Sequence, residues 1–236
     1  MFIKKRIYIS LLIFGLIFIS FKSEPYQISL SLNTSTLHKG KKIVMKSDVY
    51  FKYSNNLLIT YFSQPIEQIT IANNTGEFKQ YDPQKNEIRL MQGKGFSSEE
   101  SIFYSFLKLG MHDMGLSKAK YIMKDSKYEN GSLIQLWNSD PNFHNKPIYA
   151  KLVFEDNLPI FFAYFKADNT PVYKTYYSNY NWIGNSKFPF KIVEIDYKDN
   201  GDSIVVKKDF GNLKLNEDVN STYINYKVPV NAKVVK

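Results

Sequence analysis

Residues 61–88, YFSQPIEQITIANNTGEFKQYDPQKNEI, consist of short apolar runs separated by turn signals. Asn74-Thr75-Gly76 and Asp82-Pro83 supply the turns, because glycine accepts a positive φ, proline fixes its own φ, and Asn and Asp side chains bond to nearby backbone. The runs recur about every 8–12 residues, a spacing typical of antiparallel barrels and sandwiches. The stretch therefore predicts a β-meander.

The neighbouring runs alternate between apolar and polar residues. In residues 46–53, KSDVYFKY, the residues Val49, Phe51 and Tyr53 share one parity. The runs at residues 56–62, 66–72 and 86–92 repeat the pattern, which predicts half-buried strands.

A helical segment interrupts the strands at residues 97–110, SSEESIFYSFLKLG. Ser97 and Glu100 have the spacing of a capping box, and Gly110 suits the end of a helix. The apolar stripe of this helix is Ile102, Phe103, Phe106 and Leu107. We expect a second short helix over residues 116–119.

Strand-like runs resume at residue 119 and continue to the end of the chain, with hairpin turns at 155–157 and 167–170. The predicted fold class is mainly β with helices (α+β), in one domain. Such a core is either filled by side chains or contains a cavity covered by the helix, and the pattern leaves both possibilities open.

The N-terminus has the organisation of a secretory signal peptide. Basic residues at positions 4–6 precede an uncharged apolar run at residues 7–21, which is shorter than the roughly 20 residues of a spanning helix. We predict a signal peptide over residues 1–23 and a mature domain over residues 24–236. The cleavage site lacks small residues at the usual spacing, so an uncleaved anchor is the alternative. The chain has no cysteine, which fits an exported domain of the periplasm that is stabilised by packing alone.

The chemistry-bearing residues form no recognisable catalytic or metal-binding pattern. His38, His112 and His144 lack the spacing of metal ligands, and Glu67 and Glu77 are more simply explained as surface charges than as a glycosidase pair. The formal charge of +9 is dispersed along the strands, which argues against nucleic acid as a partner. We therefore expect no enzymatic activity, no metal and no cofactor.

The order of motifs resembles the periplasmic carriers of outer-membrane lipoproteins, the LolA family. The matching segments are the strand end at residues 61–65, the turns at 74–76 and 81–83, the hairpin at 154–158, and the chain end at 223–235. Each motif alone is weak, but they occur in the order found in the family.

This resemblance spans about residues 38–236 and implies an incomplete antiparallel β-barrel covered by a helical lid. It also implies a monomer that carries lipid or lipoprotein acyl chains from an inner-membrane donor protein to an outer-membrane acceptor. The candidate residues for the lipid-binding cavity are Val49, Phe51, Leu57, Ile59, Tyr61, Ile69, Ile71, Ile88, Leu90, Leu152 and Phe154. The candidate lid residues are Phe103, Phe106 and Leu107. The chain departs from the family in residues 55–62, where an arginine is often found and this chain has no basic residue.

The second hypothesis is a protein-binding envelope factor, a stress sensor or assembly subunit, with the same fold and a filled core. It would act through strand edges and the tyrosine-rich surface of residues 173–182. A cavity favours the carrier, and a packed core favours the binding factor.

Overall fold

The computed structural model describes residues 25–110, 112–142 and 149–235. The predicted signal peptide, residues 1–23, lies outside these ranges. Within them, no helix combines the length and apolar character needed to cross a membrane.

All strands of the described ranges belong to a single 14-stranded sheet. Neighbouring strands are antiparallel, except that β14 runs parallel to β6. The spatial order is β14-β6-β5-β4-β3-β2-β1-β13-β12-β11-β10-β9-β8-β7. The strands are β1 (Gln27–His38), β2 (Lys41–Lys52), β3 (Leu57–Gln64), β4 (Gln68–Ala72), β5 (Glu77–Asp82), β6 (Glu87–Gln92), β7 (Tyr121–Glu129), β8 (Ser132–Ser139), β9 (Tyr149–Glu155), β10 (Leu158–Phe165), β11 (Pro171–Ile183), β12 (Ser186–Tyr197), β13 (Ser203–Leu215) and β14 (Lys233–Val235).

Strand β1 is absent from the sequence prediction, although it lies in the middle of the sheet between β2 and β13. Its sequence, QISLSLNTSTLH, alternates apolar residues with Ser, Asn and Thr rather than with charges. Ile28 and Leu30 are buried, and they belong to the core beneath the helical segment.

The helical segment is shorter than predicted. It forms the helix α1 (Ile102–Leu107), which follows a 3₁₀ turn at Ser98–Glu100. The Oγ of Ser101 accepts the hydrogen bond from the amide of Tyr104 at 3.3 Å and caps α1. Ser97 instead caps the 3₁₀ turn, so the predicted capping box is wrong.

The predicted helix over residues 116–119 is a series of turns in the structure. Asp113 accepts hydrogen bonds from the amides of Gly115 at 2.9 Å and Ser117 at 3.1 Å, which fixes the turn. Met114 and Gly115 before residues 116–119 and Lys120 after them have a positive φ, so a right-handed helix cannot extend beyond the four residues in either direction.

Buried side chains form a separate cluster on each face of the sheet. The inner face is the one that α1 covers, and its inner cluster is Ile28, Leu30, Val49, Phe51, Tyr53, Phe103, Phe106, Leu107, Leu116, Tyr121, Trp137, Ala150, Leu152, Phe154, Phe162, Tyr177, Ile183, Phe188, Ile192 and Phe210. The outer face is covered by the C-terminal segment, residues 216–232, which includes the helix α2 (Ser221–Ile224). Its outer cluster is Tyr50, Ile59, Ile69, Tyr81, Ile88, Val219 and Ile224.

The sheet does not close on itself, because β14 and β7 occupy its two ends. An open antiparallel sheet with a helix on one face is an incomplete barrel with a lid. The predicted fold class is therefore confirmed.

Candidate lipid-binding interior

Helix α1 covers the inner face with aromatic side chains. The ring of Phe103 stacks on Phe188 at a centroid distance of 5.2 Å. The ring of Phe106 meets Phe188 edge-on at 5.8 Å and Tyr177 at 5.5 Å. Leu107 completes the apolar side of the helix and is 6% exposed. All the predicted lid residues thus lie against the inner face of the sheet.

Polar contacts tie the lid to the hairpin between β2 and β3. The Nζ of Lys108 donates a hydrogen bond to the carbonyl oxygen of Tyr53 at 3.1 Å and lies 5.1 Å from the centroid of the Tyr53 ring. The Nδ2 of Asn56 donates to the Oε1 of Glu99 at 3.3 Å. Strand β3 carries no arginine. The cation that joins the lid to the sheet is Lys108, which follows α1.

Next to the aromatic cluster the inner face carries an ion pair. The Nζ of Lys208 lies 2.7 Å from the Oε1 of Glu194, and both side chains are mostly buried. Burial raises the pKa of Tyr177 well above its usual value, and it raises the pKa of Tyr173 to about 12, with a further contribution from Glu194. Hydroxyl groups and a paired charge therefore line the middle of this face.

The inner face becomes more open beyond the ion pair. Ile43, Thr36, Val206 and Glu194 are successive cross-strand partners on β2, β1, β13 and β12, and directly opposed residues share a face. Ile43 is 56% exposed. The interior thus changes from a packed aromatic region through a polar region to a partly solvated apolar edge.

The candidate cavity residues lie on both faces of the sheet rather than in one lining. Val49, Phe51, Leu152 and Phe154 belong to the inner cluster. Ile59, Ile69 and Ile88 belong to the outer cluster, and Leu57, Tyr61 and Ile71 pack against it. Leu90 shares their parity on β6 and is 52% exposed.

The pairing register explains this division. Tyr50 of β2 faces Ile59 of β3, and Phe51 faces Leu58. The odd-numbered residues of β3 therefore lie on the opposite face from Phe51. Side chains on both faces of β3 are at least partly buried, so its LLITYF run is nearly continuous rather than alternating, contrary to the sequence prediction.

Several large residues of the interior were not among the sequence candidates. Phe188 is fully buried, and Phe210 is 8% exposed; both contact the lid residue Phe103. The alternating run FPFKIVEI on β12 was the available signal for Phe188. Phe210 precedes an irregular register between β1 and β13, which breaks the alternation there.

Solved structures with the same architecture come from bacterial proteins. A DUF1329 family protein from Desulfovibrio piger is 13% identical, with a TM-score of 0.57 over 87% of this chain and 92% of its own. A LolA superfamily protein from Nitrosomonas europaea is 10% identical, with a TM-score of 0.53 over 86% and 92%. A domain from Vibrio parahaemolyticus, described as a candidate outer membrane lipoprotein-sorting protein, is 9% identical, with a TM-score of 0.57 over 86% and 92%.

No protein-family model matches the sequence, and no curated protein matches it. Likeness at these identities shows the fold alone. The chain has a LolA-like fold, as the order of its sequence motifs predicted.

Proposed function

We propose that this protein is an exported carrier that holds the acyl chains of lipids or lipoproteins against the inner face of its sheet, beneath α1. The observation that carries the proposal is the short amphipathic helix that covers an aromatic face in a fold shared with a candidate lipoprotein-sorting domain. A carrier of this kind needs no catalytic group.

The interior under α1 is packed, so a cargo chain must displace the lid. Exposing Phe103, Phe106 and Leu107 costs about 5–9 kcal/mol, at about 1.5–3 kcal/mol for each side chain. An acyl chain of about 15 methylenes gains about 12 kcal/mol at about 0.8 kcal/mol for each buried methylene. The exchange is therefore favourable by a few kcal/mol even while the lid residues are exposed, which suits reversible holding. In this proposal α1 then closes over the bound chain with Phe106 facing it, so the lid must open for uptake and must be apolar to hold the cargo.

The ion pair of Lys208 and Glu194 marks the boundary between the acyl region and the polar part of the cargo in this proposal. A charged pair that is partly exposed can bind a headgroup or a peptide linker without leaving either partner uncompensated. The acyl chain then lies on the aromatic side, and its polar end lies toward Ile43.

The proposed location is the periplasm, reached by the predicted signal segment. The cargo would come from an inner-membrane donor and go to an outer-membrane acceptor, and the protein would act as a monomer. The excess of basic residues favours contact with anionic membrane surfaces during transfer.

A protein-binding envelope factor is the second candidate, and the dense aromatic packing under α1 favours it. Strand β7 at one end of the sheet also exposes Ile122, Met123 and Tyr128, which are 64%, 49% and 76% exposed. An exposed edge strand can pair with an extended segment of another protein.

Brominated fatty acids distinguish the two candidates, because bromine quenches tryptophan fluorescence at short range. The chain has two tryptophans: Trp137 is in the inner cluster and 8% exposed, whereas Trp182 is 61% exposed. We expect a dibrominated stearic acid to quench Trp137 in a Trp182→Phe variant, and to leave Trp182 bright in the matched Trp137→Phe variant.

Equal quenching of both variants would indicate surface adsorption and would contradict the carrier proposal. An absence of quenching in both would favour the protein-binding factor.

A further inference from the structure

A groove with a volume of about 750 Å³ lies on the outer face, between β2–β4 and the C-terminal segment. Tyr50, Tyr61 and Ile69 lie on the sheet side of the groove, and Tyr223 and Tyr226 belong to the C-terminal segment. This face of the sheet is separate from the acyl-binding interior. Ligand binding in this groove therefore does not depend on an acyl chain beneath α1.

The ring of Tyr61 meets three other tyrosine rings of the groove edge-to-face. The ring of Tyr61 lies 4.6 Å from Tyr223 at an interplanar angle of 65°, 5.6 Å from Tyr50 at 78°, and 5.6 Å from Tyr226 at 82°. The hydroxyl of Tyr61 donates to the carbonyl oxygen of Tyr223 at 3.2 Å, which holds α2 against the sheet. Rings in this arrangement form an aromatic corner whose faces carry negative electrostatic potential.

Every charged side chain that lines the groove is acidic, although the chain has 31 basic and 22 acidic residues. These side chains are Asp48, the cross-strand partner of Tyr61, and Glu67. Within the described ranges neither one forms an ion pair. Lys214 lines a smaller adjacent groove together with Asp48, and Lys85 and Arg89 line another one together with Glu67. Lys85 is engaged by Asp82 at 3.4 Å.

We propose that this aromatic, acidic groove binds an organic ammonium group, with the cation against Tyr61 and Tyr223 and its charge balanced by Asp48 and Glu67. An alkylated ammonium fits better than a metal ion because aromatic faces attract cations while offering no ligand atoms to replace bound water. The apolar walls at Ile66 hold the carbon atoms of the ligand.

Choline and its neutral isostere 3,3-dimethyl-1-butanol, which have nearly the same shape, test this proposal by calorimetric titration of the full chain. We expect choline to bind at least about tenfold more tightly, because only the charge differs. Equal affinity for the two compounds, or no binding of choline, would overturn the proposal.

Variants locate the site. Tyr223→Leu and Glu67→Gln should each weaken choline binding several-fold, whereas Tyr176→Leu is the matched control; Tyr176 and Tyr223 are both 42% exposed. Glu67 is exposed on the surface, so its substitution keeps the test valid if Tyr223→Leu disturbs α2. Equal effects of Tyr223→Leu and Tyr176→Leu, with wild-type binding by Glu67→Gln, would overturn the proposal.

Vesicles of phosphatidylcholine identify the source of the ammonium group. If the protein sediments with them and free choline releases it, the ligand is a lipid headgroup. If choline binds but the protein does not sediment with these vesicles, the ligand is a soluble amine. Vesicles of phosphatidylglycerol, which attract any basic protein, show how much sedimentation is due to charge alone.

Discussion

Lys108→Met is expected to accelerate lipid uptake, because it removes the contacts that tie the lid to the sheet. Methionine keeps most of the apolar length of the side chain but cannot donate the hydrogen bond to the carbonyl oxygen of Tyr53, which spans 3.1 Å. It also removes the charge that lies 5.1 Å from the Tyr53 ring. The substitution therefore isolates the polar contribution to lid closure.

The magnitude follows from typical values for these contacts. A hydrogen bond that involves a charged group contributes about 1.5–3 kcal/mol net, and an exposed cation–π contact about 0.5–1 kcal/mol. Lys108 lies at the surface, so the low end of each range applies. A loss of about 2 kcal/mol raises the open population about 30-fold if closed molecules predominate.

Stopped-flow quenching of Trp137 by a brominated fatty acid, in the Trp182→Phe background, measures the effect. We expect the uptake rate to rise by up to about 30-fold, and the apparent dissociation constant to fall in proportion. Lys124→Met makes the same chemical change on the exposed strand β7 and should leave both quantities unchanged. Equal rates for the two variants, at equal thermal stability, would refute the role assigned to Lys108.

Further substitutions test the lid residue Phe106, the interior ion pair of Lys208 and Glu194, and the buried Tyr50. Phe106→Asp should lower the free energy of unfolding by about 3–5 kcal/mol in urea titrations and abolish lipid uptake, because it places a charge at a position that is 4% exposed. The control Leu109→Asp, at a 56% exposed position, should have little effect on either quantity. Normal lipid uptake by a folded Phe106→Asp protein would contradict the role of α1 as a lid. Lys208→Met should destabilise the fold by about 1–3 kcal/mol because it leaves Glu194 partly buried without its partner. Adding Glu194→Gln should restore part of this stability. Additive effects in this double-mutant cycle would show that the two side chains are not coupled. Burial, and secondarily the charge of Asp48, raises the pKa of Tyr50 to about 12. The stabilising contribution of the neutral Tyr50 hydroxyl is therefore complete below pH 10 and is lost as the pH rises from 10 to 12. Tyr50→Phe should flatten the fall of Tm in this interval, and an unchanged Tm profile would show that Tyr50 does not cause that fall.

The meander and the lid were predictable because their signals are local. Asn and Gly residues of the hairpin turns have the expected positive φ, as at Asn157 and Gly76. Three residues of the predicted stripe of α1, Phe103, Phe106 and Leu107, are buried, and Ile102 is half-buried, since a helix of this length has one apolar side. The motif order then indicated the LolA-like fold, which the solved structures confirm.

The division of the candidate lining between two faces was not predictable from each strand alone. Parity assigns residues of one strand to two faces, but only the pairing register says which face of β3 continues the face of β2. The C-terminal segment covers the outer face from a distant part of the sequence, so the apolar side of Ile59 gives no indication of which layer it meets.

Strand β1 was missed for a related reason. Its polar positions are Ser, Asn and Thr, whose side chains also favour turns, so the alternation with Ile28 and Leu30 is weak as a local signal. The strand is fixed by pairing with β2 and with β13, and β13 lies far from it in sequence.

Native mass spectrometry tests most directly whether the inner face of the sheet holds an acyl chain. The protein is to be purified from the periplasm without detergent, and any bound lipid extracted and identified. We predict a discrete acyl-bearing adduct on the wild-type protein and its loss in Phe106→Asp. A bare protein mass that persists after incubation with lipids and acylated peptides would contradict the carrier proposal and favour the protein-binding factor.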